Sequence, residues 1–163
     1  MTSALSQEEL RAMLRYDPQI GEFVWLVKPS KRLPSGAIAG GLNAEGYRVI
    51  RLCGRLYKAH RLAWLYVHGE WPAMCIDHIN GVRDDNRIAN LRCVTHGENM
   101  QNQRRAHANN KTGKLGVAPD GIKFLSRIRV GGRSQFVGSF ATAEEASTAY
   151  IAAKRRLHSA CTL

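Results

Sequence analysis

Acidic side chains are scarce in this chain: 13 Asp and Glu stand against 24 Lys and Arg, giving a net charge of +11 and a pI near 10.0. An excess of that size favours a polyanionic partner, most often nucleic acid. No apolar run approaches the roughly 20 residues of a membrane-spanning helix, so no membrane partner is expected. The N-terminus, Met1-Thr2-Ser3-Ala4-Leu5-Ser6-Gln7-Glu8-Glu9, lacks the charged start and apolar core of a signal peptide, and a cytoplasmic location is expected. Cys53, Cys75, Cys93 and Cys161 form no CxxC pair, so free thiols and no structural zinc are expected. A zinc alternative would use Cys75, Cys93 and a nearby His, with the two cysteines facing each other across a hairpin.

What is present suits one medium domain or two small ones: 163 residues, 44% of them apolar. The charge is uneven. Residues 1–100 hold 13 basic and 10 acidic side chains, net +3, whereas residues 101–163 hold 11 and 3, net +8. That division suggests chemistry in the first part and substrate grip in the second.

Along the chain, Ser6-Gln7-Glu8-Glu9 predicts a helix cap leading into Leu10–Leu14. A turn follows at Asp17–Gly21 and a strand at Glu22–Val27. Residues 28–45 read as a loop. A hairpin turns at Cys53-Gly54-Arg55, and a helix runs from His60 to a Gly69 stop. Two short strands, Met74–Asp77 and Leu91–Thr95, flank a polar loop with a helical turn at Asn86–Asn90. A helix from His96 to about His107 comes next. Residues 108–114 read as a basic linker. Three short strands (115–118, 124–130, 134–138) and a helix from Thr142 to about Leu157 end the chain.

Chemistry concentrates in Ile76-Asp77-His78-Ile79-Asn80-Gly81, followed by Asn90 and Asn99. Asp77 and His78 are neighbours at a strand end, so their side chains diverge. One can bind a metal while the other faces water beside a phosphate, and a neutral His suits a base near pH 7. Asn99 adds a hard neutral oxygen, and two protein oxygens suit Mg²⁺, which keeps several other ligands. Taken one at a time, these residues have plainer roles: Asp77 as a turn cap, His78 as a surface His, Asn90 and Asn99 as helix caps. The spacing within a basic chain favours a nuclease.

Residues 57–102 resemble an HNH endonuclease of the His-Me finger type, particularly the phage and intron-encoded homing branch. The blocks that carry this are Ala59-His60-Arg61-Leu62-Ala63-Trp64, Ile76–Gly81, Asp85–Arg92 and Glu98-Asn99-Met100-Gln101-Asn102. Tyr16–Trp25 and Gly46-Tyr47 resemble the segment preceding such nucleases. The resemblance implies a ββα-metal core in which His78 is the general base, Asp77 and Asn99 hold one divalent ion, and Asn90 braces the loop and orients His78. The ion implied is Mg²⁺, with Mn²⁺ or another divalent cation able to substitute. Asn86 is the rival brace. Arg87 and Arg92 are candidate phosphate contacts or salt-bridge partners of Asp84 or Asp85. Arg61 is a further candidate contact, and His60 is either a contact or a packed structural residue.

Residues 111–158 resemble an AP2 DNA-binding domain through Gly116-Val117, Arg127-Ile128-Arg129, Val137-Gly138-Ser139-Phe140 and Thr142–Tyr150. Phe124-Leu125 stands where that family often has Trp. The resemblance implies a sheet laid against the major groove, with Lys123, Arg127, Arg129, Arg133 and Gln135 as candidates for contact. Arg104, Arg105, Lys111 and Lys114 are candidates for the DNA backbone, whereas Lys154-Arg155-Arg156 reads as a helix C-terminal charge cluster.

The expected fold class is α+β. The expected parts are an N-terminal helix and hairpin region (1–56), a nuclease core (57–107), a linker (108–114) and an AP2-like domain (115–163). The expected function is a site-directed endonuclease on double-stranded DNA, acting as a monomer that nicks or as two copies that cut both strands, and leaving 3′-hydroxyl and 5′-phosphate ends. The rival is a catalytically idle DNA-binding regulator on the same scaffold.

Overall fold

The computed structural model describes residues 4–31, 33–104, 106–107, 109–158 and 161–162. Two compact units divide the chain, Met1–Thr95 and His96–Leu163. Small antiparallel sheets and short helices make up both, a mixed architecture compatible with the α+β expectation. No helix among the described residues is long and apolar enough to cross a membrane.

In the first unit, α1 (Gln7–Met13) starts at a reciprocal cap: the Glu9 amide donates to the Ser6 hydroxyl, and the Ser6 amide donates to the Glu9 carboxylate. Strand β1 (Leu14–Asp17) follows at once and pairs with β2 (Glu22–Trp25). Sequence periodicity misses β1 because only Leu14 and Tyr16 face inward in four residues. Asp17 Oδ1 accepts from the amides of Gln19 and Ile20, which shapes the connecting turn. Next, β3 (Gly41–Leu42), β4 (Arg48–Leu52) and β5 (Arg55–Lys58) form a sheet in that order. Cys53 and Gly54 both have positive φ, 48° and 80°, as the tight hairpin turn requires. Helix α2 (Ala59–His68) buries His60, Leu62, Ala63 and Leu65 and ends at left-handed Gly69. Strands β6 (Cys75–His78) and β7 (Leu91–Val94) pair across a loop that closes with a 3₁₀ turn at Ile88–Asn90. One apolar core, including Leu10, Phe23, Ile50, Leu62, Ile76 and Leu91, underlies these elements.

The second unit begins with α3 (His96–Gln101), which ends well short of the expected His107. Gly97, Asn99 and Asn102 are poor helix formers, and six residues hold too few hydrogen bonds to carry the helix on. Strands β8 (Val117–Asp120), β9 (Lys123–Val130) and β10 (Arg133–Phe140) form a sheet ordered β10-β9-β8. Thr142 and Glu145 cap α4 (Ala143–Leu157) reciprocally, and α4 packs Tyr150 and Ala153 against Ile128. Residues 109–114, expected as a linker, are tied by Asn110, whose amide donates to the carbonyls of Lys114 and Val117. Gly116 has φ +72°, and a Cβ there would lie 2.0 Å from the Tyr150 ring, so only glycine fits. Lys154 stands with Arg155 and Arg156 in the last turn of α4, the expected helix C-terminal charge cluster, but its side chain is buried and its ammonium donates to the Gln103 carbonyl.

Candidate active site

Strand register separates the two reactive groups. Side chains alternate across a strand, and Asp77 pairs with Arg92 while His78 pairs with Leu91. Asp77 therefore shares one face with Arg92, and His78 shares the opposite, inward face with Leu91 and Ile76. The same register sets Cys75 opposite Val94 and Cys93 opposite Ile76, so the two sulfurs lie on different faces of the hairpin and do not meet.

Asp77 is buried, and its Oδ2 accepts from Arg92 Nε and Nη2 at 2.9 and 2.8 Å. For Arg92 the sequence left open a phosphate contact or a salt bridge to Asp84 or Asp85. Those carboxylates are taken by Arg48, at 2.9 Å to each Asp84 oxygen, and by Arg87, at 2.7 and 2.6 Å to Asp85. Arg92 meets Asp77 because the strand register brings them side by side. The Arg87 fork holds the Asp85 carboxyl down to about 2.

His78 is 5% exposed, and its Nε2 lies 3.3 Å from Asn86 Oδ1. The Asn86 amide nitrogen donates to the Asp84 carbonyl at 3.0 Å, which fixes the oxygen toward the ring. An oxygen acceptor there favours the tautomer with the proton on Nε2 and the lone pair on Nδ1. Asn90 plays a different part. Its oxygen accepts from the Asn80 amide, and its nitrogen donates to Asn80 Oδ1 and the Asp85 carbonyl. Of the two candidate braces, Asn90 holds the loop and Asn86 touches the ring.

His60 stands edge-on to His78, with ring centroids 5.0 Å apart and planes at 89°. Tyr47 lies 5.3 Å from the His60 ring and 6.0 Å from that of His78. Burial pushes His60 down to about 3, with the charges of His78, Lys58 and Arg61 adding to it, and burial lowers His78 as well. His60 Nδ1 is buried with no hydrogen-bond partner among the described residues. Lys58 and Arg83 cap the Tyr47 ring at 4.2 and 4.9 Å, a cationic aromatic cluster that sequence reasoning missed. Nothing in the spacing of positions 47, 58 and 83 signals it. Arg61 extends over Trp71 instead, 5.9 Å from its centroid.

Among the described residues, no group of three or more His, Cys, Asp or Glu is arranged to hold a metal. Asp77, the residue adjoining His78, offers a hard carboxylate donor. That donor set fits a divalent ion that keeps most of its shell as water and phosphate oxygen. Asn99 lies on α3 in the second unit and is partly exposed.

In the second unit, Lys123, Arg127 and Arg129 alternate onto the face of β9 opposite buried Ser126 and Ile128. Phe136 pairs with Arg127 in register, shares that open face and is 64% exposed, another residue missed from sequence. Arg133 and Gln135 pair with Val130 and Ile128, which sets them on the α4 side of the sheet rather than the open one. Arg104 donates to the carbonyl and hydroxyl of Thr162, and Lys114 pairs with Glu144 at 3.2 Å. Lys111 is exposed, and Arg105 lies outside the described residues.

Residues 57–101 match a family model described as HNH endonuclease. The stretch runs from β5 to α3 and contains His60, Asp77, His78, Asn86, Asn90 and Asn99. No curated protein and no solved structure matches the chain. The match supports a nuclease, a hydrolase acting on DNA; HNH nucleases generally use divalent metal ions.

Proposed function

We propose that this HNH nuclease is a site-directed endonuclease that cuts double-stranded DNA by water attack on phosphorus, with His78 as the general base. The observation that carries this reading is the buried His78 ring with its Nε2 facing Asn86 Oδ1, an arrangement that favours the lone pair on Nδ1. In this role Nδ1 takes the proton of the attacking water, the bond from phosphorus to the 3′ oxygen breaks, and the ends are 3′-hydroxyl and 5′-phosphate. Asp77 and Asn99 would hold the divalent ion, Mg²⁺ in this reading, and when bound it supplies positive charge to the phosphate oxygens. Lys58 and Arg83 place two cations on the Tyr47 ring, whose centroid lies 6.0 Å from that of His78, and would add positive charge beside the site.

The AP2-like reading assigns site selection to the second unit. Its support is the open sheet face bearing Lys123, Arg127, Arg129 and exposed Phe136, with the apolar face of α4 packing on the other side. A monomer with one such centre nicks, and two copies acting together cut both strands. A homing role, with phage or intron origin, follows from the same resemblance.

Supercoiled plasmid carrying the natural locus, incubated with Mg²⁺, should become open-circular or linear and stay intact with EDTA. His78→Ala should lose cleavage and keep DNA binding. Normal cutting by that variant would remove His78 as the base.

A further inference from the structure

The β1–β2 hairpin grips the loop that carries Asn86. The Tyr16 hydroxyl donates to the Asn86 carbonyl at 2.7 Å, a buried bond that spans 70 residues of sequence. The Ile88 amide reaches the Pro18 carbonyl at 3.4 Å. Gly21, at φ +83°, lies so close to the loop that a Cβ there would sit 2.4 Å from the Arg87 nitrogen and 2.7 Å from the Asn86 carbonyl carbon. Tyr16 is itself held, its ring 4.8 Å from Phe23 and 5.6 Å from Tyr66. Asn86 is wholly buried, and its side-chain oxygen is the group that meets His78.

We infer that Tyr16 is a positioning residue for DNA cleavage, acting through Asn86 to hold the His78 ring in its reactive orientation. The inference rests on His78 being the base. A hydrogen bond from a rigid strand fixes the Asn86 backbone, and the side-chain oxygen, three bonds beyond Cα, is held with it because the amide nitrogen is tied to the Asp84 carbonyl. Burial pushes the Tyr16 phenol above its ordinary range, so the hydroxyl stays a donor at every pH of interest. Without it, the Asn86 oxygen swings relative to Nε2 and the ring samples unreactive angles. Misplacement by about 1 Å is enough to cost up to ~100-fold in rate.

The test is single-turnover cleavage of supercoiled plasmid with Mg²⁺ across enzyme concentrations, using the full chain. Tyr16→Phe keeps the ring packing and should lower the maximal rate about 10-fold with half-saturation unchanged. In an Asn86→Ala background the same change should have under about a 2-fold effect, because its route to His78 is gone. In the metal-free protein, long-range ¹H–¹⁵N spectra should show His78 moving from one tautomer to a mixture in Tyr16→Phe. Asp17→Ala, at an exposed side chain, loosens the same turn without touching the core and covers the case in which Tyr16→Phe does not fold; it should slow cleavage about 3-fold. An unchanged rate and tautomer in the folded variants, or multiplicative losses in the double variant, would overturn the inference. His78→Ala run alongside separates the two ideas: if it cuts normally, the assignment of the base is wrong, and if it is dead while Tyr16→Phe is normal, only the role of Tyr16 falls.

Discussion

Acid should unfold the first unit through its buried histidine pair, and the size of the effect follows from His60. Its folded-state value is about 3 against an ordinary 6.5, because burial disfavours the imidazolium. A depressed folded value means that the unfolded chain binds the proton first. The stability that the neutral ring contributes is complete above pH 6.5 and is lost as pH falls toward 3. Each pH unit inside that window removes at most ~1.4 kcal/mol per group, so His60 alone accounts for roughly 3 kcal/mol by pH 4. His78 is shifted in the same direction and steepens the fall. Asp85, at about 2, enters only below pH 4, so the window from pH 6 to 4 belongs to the histidines. Urea unfolding at half-unit pH steps would measure the slope. His60→Gln has its own baseline stability, so the comparison lies in the slopes: the variant should take up about one proton fewer on unfolding across this window. Equal slopes in wild type and variant would refute the argument, since a hydrated His60 would titrate alike in both states.

Three further outcomes are expected. Arg92→Met should cost about 2 kcal/mol in urea unfolding at pH 7, because the buried Asp77 carboxylate loses both guanidinium hydrogen bonds; that lies below the ~3–5 kcal/mol for fully buried pairs because Arg92 is partly exposed. Gly116→Ala should destabilise the second unit by at least ~2 kcal/mol, read as faster amide exchange in β8 and β9, since the added carbon overlaps the Tyr150 ring at a positive φ. Arg127→Ala should weaken DNA binding and reduce the log–log salt slope by about 1, whereas Gln135→Ala, on the other side of the sheet, should leave both unchanged.

The features legible in advance share short range. Ser6 with Glu9, and Thr142 with Glu145, declare their helices within three residues, and Gly69 and the Cys53-Gly54 turn declare their ends in one or two. The divergence of Asp77 from His78 needs only strand alternation. Strand β1 escaped because its two inward residues make no readable period, and α3 was overextended because charge and polarity alone do not show where packing stops. Lys154 reads like its neighbours Arg155 and Arg156, yet the turn of α4 carries it inward to a backbone carbonyl.

By itself, then, the sequence determined the inventory at the site: a carboxylate and an imidazole on adjacent residues, two asparagines that could brace them, and a basic second half. Those facts are local, set by side-chain chemistry and by periods of two to four residues. Tertiary structure alone decided which groups meet. Register gave Asp77 to Arg92, loop closure put Asn86 rather than Asn90 against His78, and a hairpin 70 residues away locked Asn86 in place. Such pairings depend on how strands and loops pack around a shared core, where a one-residue slip turns every side chain to the other face.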